Sequence, residues 1–218
     1  MKRFFKLISA LGSIAFLVLF APRATPPLLA YGVCAMTRVS VASDGTPAGG
    51  STPAISGDGR YVAFQSDATN LVPGDTNGIT DVFVRDMQTG VTTRVSVASD
   101  GTQSSRCGIS PAISADGRYI AFASGASNLV SGNTHGGVFV HDTQTGQTAM
   151  VSVASNGAQG NAGGGLPAIS ADGRYVAFGS GATNLVPGDT NGKVDVFVHD
   201  MQTGWTTRVS LACDGTQA

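Results

Sequence analysis

One unit is written three times along this chain, and that repetition limits the folds open to it more than any single motif. Thr37-Arg38-Val39-Ser40-Val41-Ala42-Ser43-Asp44-Gly45-Thr46 returns as 93–102, in weakened form as 149–158, and again as 207–216, at spacings of 56, 56 and 58 residues. Between these copies lie three versions of a second block: Pro53-Ala54-Ile55-Ser56-Gly57-Asp58-Gly59-Arg60-Tyr61-Val62-Ala63-Phe64, then 111–122, then 167–178. A third block, Asp81-Val82-Phe83-Val84-Arg85-Asp86-Met87-Gln88-Thr89-Gly90, recurs as 138–146 and 195–204. Self-similarity at a period of this size is the mark of a solenoid or a propeller, whose units bury their apolar faces on one another.

Each unit reads as four short strands. The first ends on Pro-Ala-Ile-Ser, and Asp58-Gly59, Asp116-Gly117 and Asp172-Gly173 follow as tight turns. In such turns Asp bonds its own backbone and Gly supplies a positive φ. The second strand, Arg60 to Ser66, is apolar at nearly every position, which predicts burial on both faces. The third runs Asp81 to Met87, and the fourth Val91 to Ala98 after a Gln88-Thr89-Gly90 turn. Composition agrees. All 14 acids are Asp, only three Lys occur, and 30 residues are Gly, so helix-surface residues are scarce and turn residues abundant. The expected fold is all-β: about three four-stranded antiparallel propeller blades at 53–99, 111–155 and 167–213, with an extra leading strand at 37–43. A β-solenoid is the structural rival; its coils are shorter and lack these hairpin signals.

Ser-x-Asp-Gly-Arg-Tyr-Val-Ala-Phe, followed by Asp-Val-Phe-Val-x-Asp and Thr-Gly, resembles the TolB-type β-propeller, a WD-like repeat of bacterial envelope and secreted proteins. The resemblance covers residues 37–216. It implies a protein-interaction or scaffold module and part of a six-bladed ring. It carries over no peptidase residues from the propellers that gate prolyl oligopeptidases.

Residues 1–30 read as a secretory signal peptide. Lys2, Arg3 and Lys6 precede an apolar run from Leu7 to Phe20, which Pro22 ends. As a helix that run spans about 21 Å, short of a bilayer core of roughly 30 Å. Cleavage after Ala24 or Ala30 removes four positive charges and leaves 9 positive and 14 negative, net -5. The expected product is exported to the periplasm or beyond, has no membrane span, and is too acidic for a nucleic-acid binder. Cys34, Cys107 and Cys213 stand at non-equivalent repeat positions, so at most one pair can form.

The chain carries four copies of the fourth strand and three of the others. Three blades fall below the usual four to eight. Two arrangements answer this: a segment of a longer propeller with further blades, or a homodimer closing into six. The first is favoured, because repeat arrays carry polar caps and none is visible.

Two loops carry candidate chemistry. Asp75, Asn77 and Asp81 lie in Gly74-Asp75-Thr76-Asn77-Gly78-Ile79-Thr80-Asp81, and Asp189, Asn191 and Asp195 in the matching loop of the third unit. Oxygen donors at positions 1, 3 and 7 resemble the start of a calcium loop, so calcium is the candidate ligand; the closing Glu is missing, and Asx-turns explain the same residues. The middle copy, Gly132-Asn133-Thr134-His135-Gly136-Gly137, is two residues shorter and has no acid. His141 and His199 share one position and read as exposed strand residues. Arg60, Arg118 and Arg174 pair in pattern with Asp86, Asp142 and Asp200, which points to a turn or an ion pair within each blade. No Gly-x-Ser-x-Gly elbow occurs, and Gly160 to Gly165 reads as a connector. The expectation is therefore a non-enzymatic module with a protein or peptide partner. A calcium-dependent adhesive repeat is the second reading and a remote hydrolase or lyase the third.

Overall fold

The computed structural model describes residues 36–217. Twelve strands form three antiparallel sheets, each a simple up-and-down meander. Sheet one holds β1 (Ser51–Ile55), β2 (Tyr61–Ser66), β3 (Asp81–Asp86) and β4 (Thr92–Arg94). Sheet two holds β5 (Gly108–Ile113), β6 (Tyr119–Ser124), β7 (Gly137–Asp142) and β8 (Gln147–Met150). Sheet three holds β9 (Gly164–Ile169), β10 (Tyr175–Ser180), β11 (Asp195–Asp200) and β12 (Thr206–Arg208). These are three blades of a β-propeller, a partial ring among the described residues. The signal-peptide reading of residues 1–30, and Cys34, lie outside those residues.

Each sheet has a leading face rich in Phe and a trailing face of small aliphatics. Phe64 and Phe83 are direct partners across β2 and β3, and their rings stack at 5.9 Å. Phe122–Phe139 and Phe178–Phe197 repeat the pair. The trailing face of sheet one, Ala63, Val82, Val84 and Val95, packs on the leading face of sheet two, Ile120, Phe122, Phe139 and Leu129. The trailing face of sheet two, Ala121, Val138, Val140 and Val151, packs likewise on Val176, Phe178, Phe197 and Leu185 of sheet three. Each buried Phe stabilises by roughly 1.5–3 kcal/mol. On the leading face of sheet one, Val39 and Ala48 of the leading segment pack against Phe64, Leu71 and Phe83.

The turn between the first two strands of each sheet is a rigid knot. Ser56 Oγ donates to Asp58 Oδ1 at 2.6 Å, and Asp58 Oδ1 accepts the Arg60 N–H at 2.9 Å. The turn glycine also serves the seam. A Cβ on Gly117 would meet the Tyr61 ring at 2.1 Å, and one on Gly173 the Tyr119 ring at 2.3 Å. Each Tyr thus lies on the bare turn of the next sheet, at glycines held at φ +73° and +74°.

Several boundaries differ from the sequence reading. The first strand starts before its Pro, and the ladder skips a register there. A bulge suits Pro53, Pro111 and Pro167, which have no N–H to donate. β9 opens on Gly164 and Gly165, so the supposed connector is partly strand. The fourth strand has only three or four residues. Its ladder ends because the Ser96 hydroxyl accepts the Val82 N–H at 3.0 Å, and the chain then leaves the sheet. The expected leading strand at 37–43 is not a strand; the segment makes one bridge, Val41 with Pro47. Its counterparts of Thr92–Arg94 are residues 36–38, which are exposed and have no neighbouring strand among the described residues.

What the segment does instead is clip. Thr92 Oγ1 donates to Val41 O at 2.7 Å and Thr92 N to Ser43 Oγ at 3.1 Å. Thr148 makes the same two bonds to Val97 and Ser99, and Thr206 to Val153 and Ser155. The repeated Val-Ala-Ser run therefore fastens each unit to the fourth strand of the next.

Candidate functional site

The loop from 74 to 81 folds back under β4 and brings its acids together around one cation. Asp75 Oδ1 lies 3.0 Å and Asp81 Oδ2 3.5 Å from Arg94 Nη1. Asn77 Nδ2 donates to Asp81 Oδ2 at 2.9 Å, and Ser96 Oγ to Asp81 Oδ1 at 2.5 Å. Gln103 closes the loop from the clip segment: its Oε1 accepts from Arg94 Nη1 at 3.0 Å and its Nε2 donates to Gly74 O at 2.7 Å. Both carboxylates are almost fully buried, with side chains 3% and 0% exposed.

The third sheet repeats the arrangement more loosely. Arg208 Nη1 stands 3.3 Å from Asp189 Oδ1 and 3.7 Å from Asp195 Oδ2. Ser210 Oγ donates to Asp195 Oδ1 at 2.5 Å, and Asn191 Oδ1 accepts the Lys193 N–H at 2.9 Å. The charges are close but imperfectly matched. Asp75 Oδ1, Asp189 Oδ1, Asp195 Oδ2 and both Arg Nε atoms are buried without a hydrogen bond. Burial holds the Asp75 carboxyl above its ordinary range; the Arg94 charge opposes the rise and the neighbouring Asp81 adds to it.

All six residues named as calcium candidates thus sit in these two loops, three to each, but the place between the carboxylates holds a guanidinium. No group of three or more His, Cys or Asp side chains placed to hold a metal occurs among the described residues. Arg94 and Arg208 were absent from the sequence reading of these loops. A signal for them existed: the unit whose loop lacks acids also has Met150 in place of the Arg.

The other sequence candidates fall into structural roles. Arg60 forks onto Asp86 through Nε at 3.1 Å and Nη2 at 2.7 Å, and Arg118–Asp142 and Arg174–Asp200 repeat the geometry. Those contacts, led by the Arg hydrogen bonds, hold Asp86, Asp142 and Asp200 well below the usual carboxylate range. His141 and His199 are buried, not exposed as expected. Their Nδ1 atoms meet Thr148 Oγ1 and Thr206 Oγ1 at 2.9 Å, which ties them to the clip, and burial lowers both imidazole pKa values. Arg85, their counterpart, reaches Thr92 Oγ1 and Val41 O directly. Cys107 and Cys213 are free and exposed. Arg106, Cys107 and His135, which break the repeat, line one open cavity of about 350 Å³.

Neither a protein-family model nor a curated protein matches the chain. Solved structures do. A putative TolB from Agrobacterium tumefaciens is similar at 18% identity and TM-score 0.48, over 73% of this chain and 48% of that one. TolB from Acinetobacter baumannii is similar at 17% identity and TM-score 0.34, over 76% and 44%. The β-propeller domain of the Trilobed protease from Pyrococcus furiosus is similar at 15% identity and TM-score 0.43, over 73% and 41%. The chain spans about half the length of these structures, and the likeness is to TolB-like β-propellers as a fold.

Proposed function

We propose that this chain is an exported, non-enzymatic propeller module that binds another protein through the trailing face of sheet three. One observation carries the reading. Val196 and Val209 are 43% and 50% exposed, whereas Val82, Val138, Val95 and Val151, their counterparts in the other sheets, are fully buried. Tyr175 of β10 and Leu211, in the segment past β12, are exposed as well. A contiguous apolar face on a polar molecule marks an interaction site. The repeated Arg–Asp forks and clip residues support the non-enzymatic part, because each engages its own sheet or the adjoining unit. Export rests on the basic start and apolar run of residues 2–20.

Two experiments test this. Sequencing the exported protein's N-terminus should place it after Ala24 or Ala30; an intact Met1 on a cytoplasmic product removes export. A hydrophobic dye should bind the chain and lose most of its signal in Val196→Ser/Val209→Ser. A signal unchanged by that pair sinks the binding face.

A second reading, calcium in the two acidic loops, rests on the buried oxygens of Asp75, Asp189 and Asp195 that lack hydrogen bonds. Calcium needs six to eight oxygens, and here it would also have to move Arg94 or Arg208 aside. A melting temperature that falls on chelation, and no longer does so in Asp75→Asn/Asp189→Asn, supports calcium. An unchanged melting temperature ends it.

A further inference from the structure

The seam between sheets one and two holds a cavity that the seam between sheets two and three does not reproduce. Its volume is about 430 Å³, and its apolar walls are Tyr61 and Val84 of sheet one with Val91 and Val95 at either end of β4. His141 of β7 lines it from sheet two, with Thr143 and Gln144 just past that strand. Three repeat positions set this seam apart. Val91 and Thr93 stand where sheet two has Gln147 and Ala149, and Thr143 where sheets one and three have Met87 and Met201. Met201 packs into the second seam. The cavity there, of about 490 Å³, is lined by Met201 and by Asp172, Gly173 and Arg174 of the turn, and not by His199.

His141 is 6% exposed, and Thr148 fixes its tautomer. The Thr148 hydroxyl donates its one hydrogen to Val97 O at 2.6 Å, so at 2.9 Å it accepts from His141 Nδ1. The lone pair of the neutral ring therefore sits on Nε2, which has no hydrogen-bond partner among the described residues. Burial lowers the imidazole pKa and so favours that neutral form.

We propose that this cavity binds a small neutral phenol, its hydroxyl donating to His141 Nε2 and its ring held between the apolar walls. An acceptor-only nitrogen in a nearly dry place selects a donor, and a ligand without one would leave it unpaired. Walls on two facing sheets make a slot that suits a flat ring, and Tyr61 supplies an aromatic side to it. The volume lies within the roughly 300–1,000 Å³ of small-molecule sites. Asp86, ionised in its Arg60 fork, borders the cavity and disfavours an anion. The Thr93 hydroxyl and the Gln144 amide line the same cavity and offer further polar contacts. This site is distinct from the trailing face of sheet three.

The test is equilibrium dialysis of the purified full chain against naphthol and against its methyl ether, which has the same rings and no donor. Naphthol should bind saturably, and the ether about tenfold more weakly or worse. His141→Phe should abolish that preference, so that the two probes bind alike. Thr143→Met, which copies sheets one and three, should weaken both probes about tenfold or more by filling the cavity. If His141→Phe loses its far-ultraviolet spectrum, Thr143→Met decides, because its residue already occupies the same position in the sister sheets. Val196→Ser/Val209→Ser should leave naphthol binding unchanged. No saturation up to the solubility limit, equal binding of the two probes by wild type, or full binding by Thr143→Met overturns the inference. So does a loss of naphthol binding in the sheet-three pair, which would put the ligand on that face instead.

Discussion

Sheets one and two come from the same repeat yet fill one position in opposite ways. In sheet one the loop before β3 carries Asp75, Asn77 and Asp81, and β4 places Arg94 among them. In sheet two the loop is two residues shorter, Gly137 replaces Asp81, and Met150 replaces Arg94. The space is still used: a Cβ on Gly137 would meet the Met150 methyl at 2.5 Å. Asn133 serves the shorter loop without charge, donating to Ala126 O at 2.7 Å and accepting the N–H groups of His135 and Gly136. Acids and Arg have gone together while the fold stayed the same. The charged set is therefore one of two interchangeable fillings, as expected where a buried ion pair and an apolar replacement are nearly equal in free energy.

The comparison breaks most sharply if one partner is removed alone. Arg94→Met should cost about 3–5 kcal/mol, because two buried carboxylates lose their counter-charge. Adding Asp75→Asn and Asp81→Gly, which copies sheet two, should restore more than half of that loss in urea unfolding. The Ser96 hydroxyl would keep its bond from the Val82 N–H, as Ser152 does with Val138. If the triple variant is no better than Arg94→Met, the two fillings are not equivalent. Arg208→Met in sheet three should act in the same direction with a smaller loss. Its ion pairs are longer, at 3.3 and 3.7 Å.

The sequence revealed most of the fold because the repeat is both local and dense. The Asp-Gly turns, the apolar second strand and the four-strand unit all follow from chemistry within a few residues of each other. What it hid depends on neighbours far along the chain. Segment 37–43 has the sequence of a fourth strand, but that strand pairs only over Thr92–Arg94, and the leading copy has no strand beside the matching residues. His141 and His199 alternate with apolar residues as exposed positions would; they are buried because the preceding unit's clip lies over them. The acidic loops looked like cation sites, and a cation is there, supplied by β4 from 13 residues beyond Asp81.

The same position separates the sheets by pH. Arg85 carries a permanent charge against the clip, whereas His141 and His199 are neutral when buried. Their folded pKa values lie below 6.5, so the folded state disfavours the protonated ring. Stability from these two groups is fully present above that value and is lost as pH falls below it towards the folded pKa. Thermal unfolding should show a declining melting temperature as pH falls from 7 towards about 5. His141→Arg/His199→Arg, which copies sheet one, should flatten the decline. A slope unchanged in the double variant would place the titration elsewhere.

The smallest effect belongs to a feature that all three sheets share. Arg60, Arg118 and Arg174 are each about a third exposed, so their forks onto Asp86, Asp142 and Asp200 lie partly in water. Exposed pairs contribute little to stability. Their geometry still leaves a clear mark, because the Arg118 fork, with backbone N–H groups helping, pulls the Asp142 pKa down to about 2. Arg118→Lys keeps the charge but cannot fork. A carboxyl titration followed by NMR should show Asp142 moving up towards the ordinary range while Asp86 and Asp200 stay put. The depressed value stabilises the fold above the unfolded pKa and fades as pH falls through the folded one, so the variant's disadvantage should vanish in strong acid. Equal shifts at all three Asp residues would mean that the sheets respond as one unit, and the contrast between the loops of sheets one and two could then not be treated site by site.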